Sequence, residues 1–272
     1  MADILEKGVV FDEALQLHRV KNILPTALNS AEIKEQLGTD IYKRAFVSAT
    51  VNEADTLNVF KNGIDRILTG QGSPSDIRYA YNQMVVEQGG MPLPLARQNL
   101  IIETNLDLAR GYGQKMLSLD PDVVIAFPAW ELFRLEPRKE PRVWPERWMI
   151  AAEASADEDA ANALEEFGVM AALKDSDIWS ELGSSANFDD ALDTDFTPLA
   201  FESGMWMRDY SREDCIRIGL MEADESAEPD ELGDFGDDAQ WGTGSLSEMI
   251  LGLLLGVLGG AAKKKGDNLV LA

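Results

Sequence analysis

RQNLIIETNLDLARGYGQ, Arg97 to Gln114, and then FPAWELFRLEPRKEPRVWPERW, Phe127 to Trp148, decide how this chain reads. In the first, Leu95, Leu100, Ile101, Leu108 and Tyr112 recur at helical spacing and suit a buried helix with Asn105 and Arg110 as polar contacts. The Arg110-Gly-Tyr-Gly113 step reads as its C-terminal stop, because glycine accepts the backbone a helix end requires. In the second, the period changes. Val123, Val124, Ile125 and Phe127, then Trp130, Leu132, Phe133 and Leu135, suggest short strands broken by Pro128 and Pro137. Neither half has the spacing of an enzyme site.

Upstream, helices are expected from Phe11 to Leu24, stopped by Pro25, and from Asn29 or Ser30 to Leu37. Another runs from Glu53 through Leu57, Phe60, Ile64, Ile67 and Leu68, and another starts at Ser73-Pro-Ser-Asp. Downstream, 159–170 and 211–220 return to helical patterns. The expected fold is mainly α with a smaller α+β segment: a helical part at 1–118 and an irregular Trp/Arg/Pro-rich α+β part at 119–220. An acidic flexible linker at 221–244 and an apolar C-terminal helix with its tail at 245–272 follow.

Charge is unevenly placed. The chain carries a net −24 over 272 residues; residues 1–150 contribute −3 and residues 151–240 contribute −22. Adaptation to high salt would spread acids over the whole surface, so the charge belongs to a region, as in solvated or interaction segments. The single cysteine, Cys215, excludes an internal disulfide framework, and its helical spacing with Ile216, Ile218 and Leu220 suits a buried small hydrophobe. The single histidine, His18, argues against a Ser-His-Asp triad or a His-based metal site. No basic stretch followed by an apolar run opens the chain, so no secretory signal is expected.

The glycines of Arg110-Gly-Tyr-Gly113 follow a helix, whereas a phosphate cradle precedes one, so no nucleotide site and no cofactor are expected. Trp130, Arg134, Arg138, Lys139, Arg142, Trp144, Arg147 and Trp148 interleave cations with rings, a mixture that can grip nucleic acid. Glu131, Glu136, Glu140 and Glu146 cancel four of the five positive charges, which makes a poor phosphate trap. Arg–Glu pairing and Arg-on-Trp packing are favoured; as a binding surface, these residues suit a protein partner better than DNA. Asp189, Asp190, Asp193 and Asp195 lack the central Gly and terminal Glu of a calcium loop, so no metal ligands are assigned.

Met249 to Ala262 is a run of 14 uncharged residues with Gly252, Gly256 and Gly260 four apart, one face of a helix on which two backbones could approach closely. At 1.5 Å per residue it spans about 21 Å, short of the roughly 30 Å of a hydrocarbon core. Self-association in a ring of copies, docking on a partner, or contact with a membrane would each use it. Lys263 to Lys265 would cap its dipole or meet anionic headgroups.

The order of segments resembles the Mu F-like minor head proteins of tailed bacteriophages, also called head morphogenesis proteins. FDEAL at Phe11 to Leu15, KNILPT at Lys21 to Thr26, RAFVSATV at Arg44 to Val51 and a long helix come first. The two stretches quoted above, ALKDSDIW at Ala172 to Trp179, the Phe201, Gly204, Met205 region and RDYSREDCIRIGL follow in turn. The likeness covers about 11–220. It implies a non-enzymatic virion protein of the capsid interior or portal vertex, assembled in the bacterial cytoplasm and taking part in capsid assembly and DNA packaging or delivery. Portal protein and other head proteins are the implied partners, with possible contact to packaged DNA. Many relatives carry metal-related Cys and His positions near the end of the domain, where this chain has Ser203-Gly204-Met205. An alternative is a membrane-active ejection protein working through the C-terminal helix.

Overall fold

In a computed structural model of the chain, residues 12–39, 41–137 and 142–227 are described, with the backbone of 241–242, 262–265 and 268–271. Helix dominates, with a small sheet: the fold is mainly α with a smaller α+β part. The chain forms two compact units, Met1–Arg110 with Gly233–Ala272, and Gly111–Leu232.

Unit 1 opens with α1 (Asp12–Val20), β1 (Asn22–Ile23), α2 (Ser30–Leu37), α3 (Ile41–Arg44) and β2 (Ala45–Phe46). α4 (Ala54–Leu68), α5 (Pro74–Glu87) and the first four turns of α6 (Leu95–Ser118) follow. α4 forms because Leu57, Phe60, Ile64 and Leu68 share one face, and all four are buried against Phe46, Ile77, Tyr81, Ile102 and Leu106. α2 and α5 start on reciprocal capping boxes. Asn29 Oδ1 accepts the Ala31 and Glu32 amides while Glu32 accepts the Asn29 amide, and Ser73 and Asp76 repeat the device with Pro74 in the first turn.

β1 and β2 pair in parallel, with Asn22 opposite Ala45 and Ile23 opposite Phe46. The ladder continues past both strands, the Leu24 amide donating to Phe46 O and the Thr26 amide to Val51 O, each at 2.9 Å. KNILPT thus lies along RAFVSATV. Arg97 fastens the pair to α6, donating to Ser48 Oγ and Ala49 O, both at 2.8 Å.

Unit 2 holds the rest of α6, then α7 (Pro121–Ala126), β3 (Ala129–Arg134), α8 (Trp144–Ser155), α9 (Glu158–Phe167) and β4 (Ala171–Leu173). α10 (Ile178–Gly183), β5 (Met205–Tyr210) and α11 (Arg212–Arg217) complete it. Its antiparallel sheet has the order β4-β3-β5, with Trp130 opposite Ala172 on one side and Asp209 on the other.

Four differences from the sequence reading have physical causes. Arg110-Gly-Tyr-Gly113 is not a helix stop: α6 runs on to Ser118, and the unit boundary falls inside it, eight residues before the expected 118. A Cβ on Gly111 would stand 1.5 Å from Thr197 O, so glycine there admits a loop backbone against the helix. Residues 121–126 form a helix rather than a strand, because Asp120 caps the Asp122 amide and Pro121 fits the first turn. The acidic linker does not begin at 221: Met221 is buried beside Cys215 and Leu220, and Arg212 donates to Ala223 O at 3.3 Å.

The fourth difference is at the C-terminus. The apolar run, including Gly252, Gly256 and Gly260, lies outside the described residues up to Ala261. The stretch after it is β rather than helical: β7 (Ala262–Lys265) pairs antiparallel with β8 (Asn268–Leu271), which also pairs with β6 (Trp241–Gly242). Lys263 to Lys265 therefore lie in a strand.

Candidate functional site

The tryptophans and Arg147 of the Trp/Arg segment are built into the interior of unit 2. Trp144, Arg147, Trp148, Ala151 and Ala152 lie at steps of three and four along α8, so one helical face carries them all inward. Trp130 comes in from the pleat of β3. Trp179 of α10 meets Trp130 and Trp148 edge-to-face, each pair at 5.5 Å between ring centroids. The indole N–H groups of these three rings are satisfied locally: Trp130 donates to Ser118 Oγ at 3.0 Å, Trp148 to Ala160 O at 2.9 Å and Trp179 to Leu173 O at 2.8 Å.

The three tryptophans assigned to a partner surface are thus core residues. Trp130, Trp144 and Trp148 are 3%, 2% and 0% exposed, and a partner cannot reach these rings in the folded unit. Periodicity explains the correction: once α8 forms, a residue pattern that looks like an interface on an extended chain becomes an inward stripe.

The arginines bind the loop that follows α10. Asp190 is held from both sides, by Arg147 Nη1 at 2.7 Å and by the Arg142 Nε. Arg142 also donates to Phe201 O at 2.7 Å and Glu202 O at 3.3 Å. Arg147 lies over Phe188 at 3.9 Å and Trp144 at 4.9 Å, the Arg-on-ring packing expected from sequence. Arg134 reaches the Ser203 and Arg142 carbonyls at 3.5 Å. Burial pushes the Asp190 carboxyl up, but hydrogen bonds and charge from Arg147 and Arg142 outweigh this and hold it below the usual carboxylate range.

Among the described arginines of the segment, Arg142 and Arg147 pair with Asp190 of the loop. Glu131 instead receives Arg208 at 2.7 Å from the directly opposite position on β5. Arg138 and Lys139 lie outside the described residues. Among the described residues of the segment, the exposed large apolar side chains are Phe127, Leu135 and Val143, at 39%, 38% and 57%.

The aspartate run at 189–195 is likewise absorbed. Asp195 pairs with Lys115 at 2.5 Å, and Asp193 Oδ1 accepts the Ser185 amide at 2.6 Å. Cys215 is fully buried among Ala129, Ala163, Ala171 and Ile218; burial, reinforced by the Asp214 charge, pushes its thiol up to about 11, so it stays protonated and unreactive at neutral pH. Lys174 is buried under the sheet, donating to Ser118 O at 2.6 Å and pairing with Asp209 at 2.7 Å.

This arrangement can clamp and rigidify a loop. Arg142 and Arg147 both face Asp190. Sequence reasoning missed Asp190 and Phe188 as the other half of the cluster, because 43 residues separate Asp190 from Arg147. The one available signal was the Asp189-Asp190 pair inside a segment otherwise poor in cations. No known protein family, curated protein or solved structure matches this chain.

Proposed function

We propose that the chain is a structural protein of a bacteriophage head, a minor head protein near the portal vertex that takes part in capsid assembly and in packaging or delivery of DNA. The observation that carries this reading is the order of the segments resembling Mu F-like proteins, from FDEAL to RDYSREDCIRIGL. Their mutual packing supports it. KNILPT, RAFVSATV and the start of RQNLIIETN are joined by β1–β2 and Arg97, while FPAWELFR carries β3, ALKDSDIW and RDYSREDC carry the ends of β4 and β5 that pair with it, and the first two supply Trp130 and Trp179. Segments recognised as separate motifs are therefore the segments that hold each unit together.

The proposed partner surface includes the exposed Leu135 and Val143, with Arg138 and Lys139 between them in sequence as its charged contacts, and the proposed partner is the portal protein. Arg142 is a poor probe of that surface, since its guanidinium holds Asp190 and two carbonyls in place. Co-sedimentation of the full chain with co-expressed portal protein tests the idea with R138E/K139E. Loss of co-sedimentation with unchanged thermal stability supports it; full co-sedimentation moves the interface elsewhere.

The reading of a membrane-active ejection protein rests on the run from Met249. No helix among the described residues is long and apolar enough to cross a membrane, and that run lies outside them. Dye leakage from anionic vesicles by the full chain, abolished on truncation after residue 240, is the result that would favour it.

A further inference from the structure

α1 is seated on α4 through a histidine that has almost no room for a second proton. His18 is 2% exposed, its ring edge-on to Phe46 at 5.9 Å, and its Nε2 lies 2.8 Å from Lys61 O. A carbonyl only accepts, so Nε2 carries the hydrogen and Nδ1 is the atom that would take up a proton. The charges around it are mostly positive. Lys21, 1% exposed and donating to Tyr42 O at 2.7 Å, lies just beyond the end of α1, and Lys61 faces it from α4. The nearby carboxylate, Asp65 of α4, is engaged by Arg19 at 2.7 Å.

We propose that His18 makes the seat of α1 on α4 an acid-operated latch: a proton taken up at Nδ1 places charge in a buried, already basic corner and releases Asp12–Ile23 from unit 1. Unit 2 holds no histidine and keeps its fold over the same range. The released stretch carries most of FDEAL and the start of KNILPT, so acid exposes one edge of β2, where a partner strand could pair.

The sign follows from linkage. Burial first, then the Lys21 and Lys61 charges, lower the His18 value from 6.5 to about 4, against the opposing hydrogen bond to Lys61 O. The released state therefore binds more protons between these values, and the seat weakens as pH falls through that window. Between about pH 7.5 and about pH 5 the closing equilibrium drops roughly ten- to thirtyfold.

Hydrogen exchange on the full chain, corrected for intrinsic rates, reads this directly. Peptides covering 12–23 should lose about tenfold or more of their protection at about pH 5, while peptides covering β3, α8 and α10 keep theirs. His18→Gln retains a donor for Lys61 O and stays neutral, so it should remove most of the pH dependence, leaving the smaller part that comes from Lys21, which burial lowers to about 7. Equal wild-type protection at both pH values overturns the proposal, as does an undiminished acid response in the glutamine variant. Should that variant fail to fold, NMR titration of the wild-type ring decides, since the chain has one histidine and hence one signal. A ring that titrates below about 5 supports the latch, and one near the ordinary 6.5 refutes it.

Discussion

Asp190 compensates two arginines at once, and its removal leaves both without their carboxylate. Arg147 has a side chain only 8% exposed, so Asp190→Ala should cost unit 2 about 2 kcal/mol or more, measured by denaturant unfolding followed through tryptophan fluorescence. The depressed Asp190 carboxyl stabilises the fold above the ordinary aspartate range, and that contribution is lost as pH falls through its lowered value. Gly111→Ala should be at least as damaging, about 2–3 kcal/mol, because the added methyl meets the Thr197 carbonyl rather than a movable side chain. Partners so far apart in sequence are the part of the site that one-dimensional reading could not supply. The Arg-on-Trp packing was legible because Trp144 and Arg147 are only three residues apart in sequence; Asp190 and Thr197 were not, because tertiary closure alone brings them near.

Helices with strong local signals were readable, and those decided by context were not. α4 was visible from its apolar spacing and α5 from Ser73-Pro-Ser-Asp; Ser73→Ala should lower the stability of unit 1 by about 1 kcal/mol through loss of its cap. α8 was hidden because its prolines looked like breaks, although Pro145 occupies the first turn, where it is tolerated. α7 was hidden by its β-branched residues, which Asp120 and Pro121 override. Helix α6 passes through Gly111 and Gly113 because its last turns are fixed by tertiary contacts within unit 2, with Tyr112 against Phe196 and Gln114 donating to Met207 O at 2.5 Å. Local propensity alone would have stopped it there.

At the scale of the molecule, the fold class and the regional charge were both legible, whereas the position of the unit boundary was not. A net −22 over 151–240 suits a surface kept off packaged DNA, since like charge repels phosphates. If the region instead docks on a basic head protein, binding should weaken steeply as salt rises; a spacer shows no bound state to titrate. The proposal that this chain is a minor component of a phage head has a direct test. Quantitative mass spectrometry of nuclease-treated, DNA-filled particles from the source culture, referenced to the major head protein, tests it most directly. A minor head component should be present at a few to some tens of copies per particle, and its absence from mature particles would overturn the proposal.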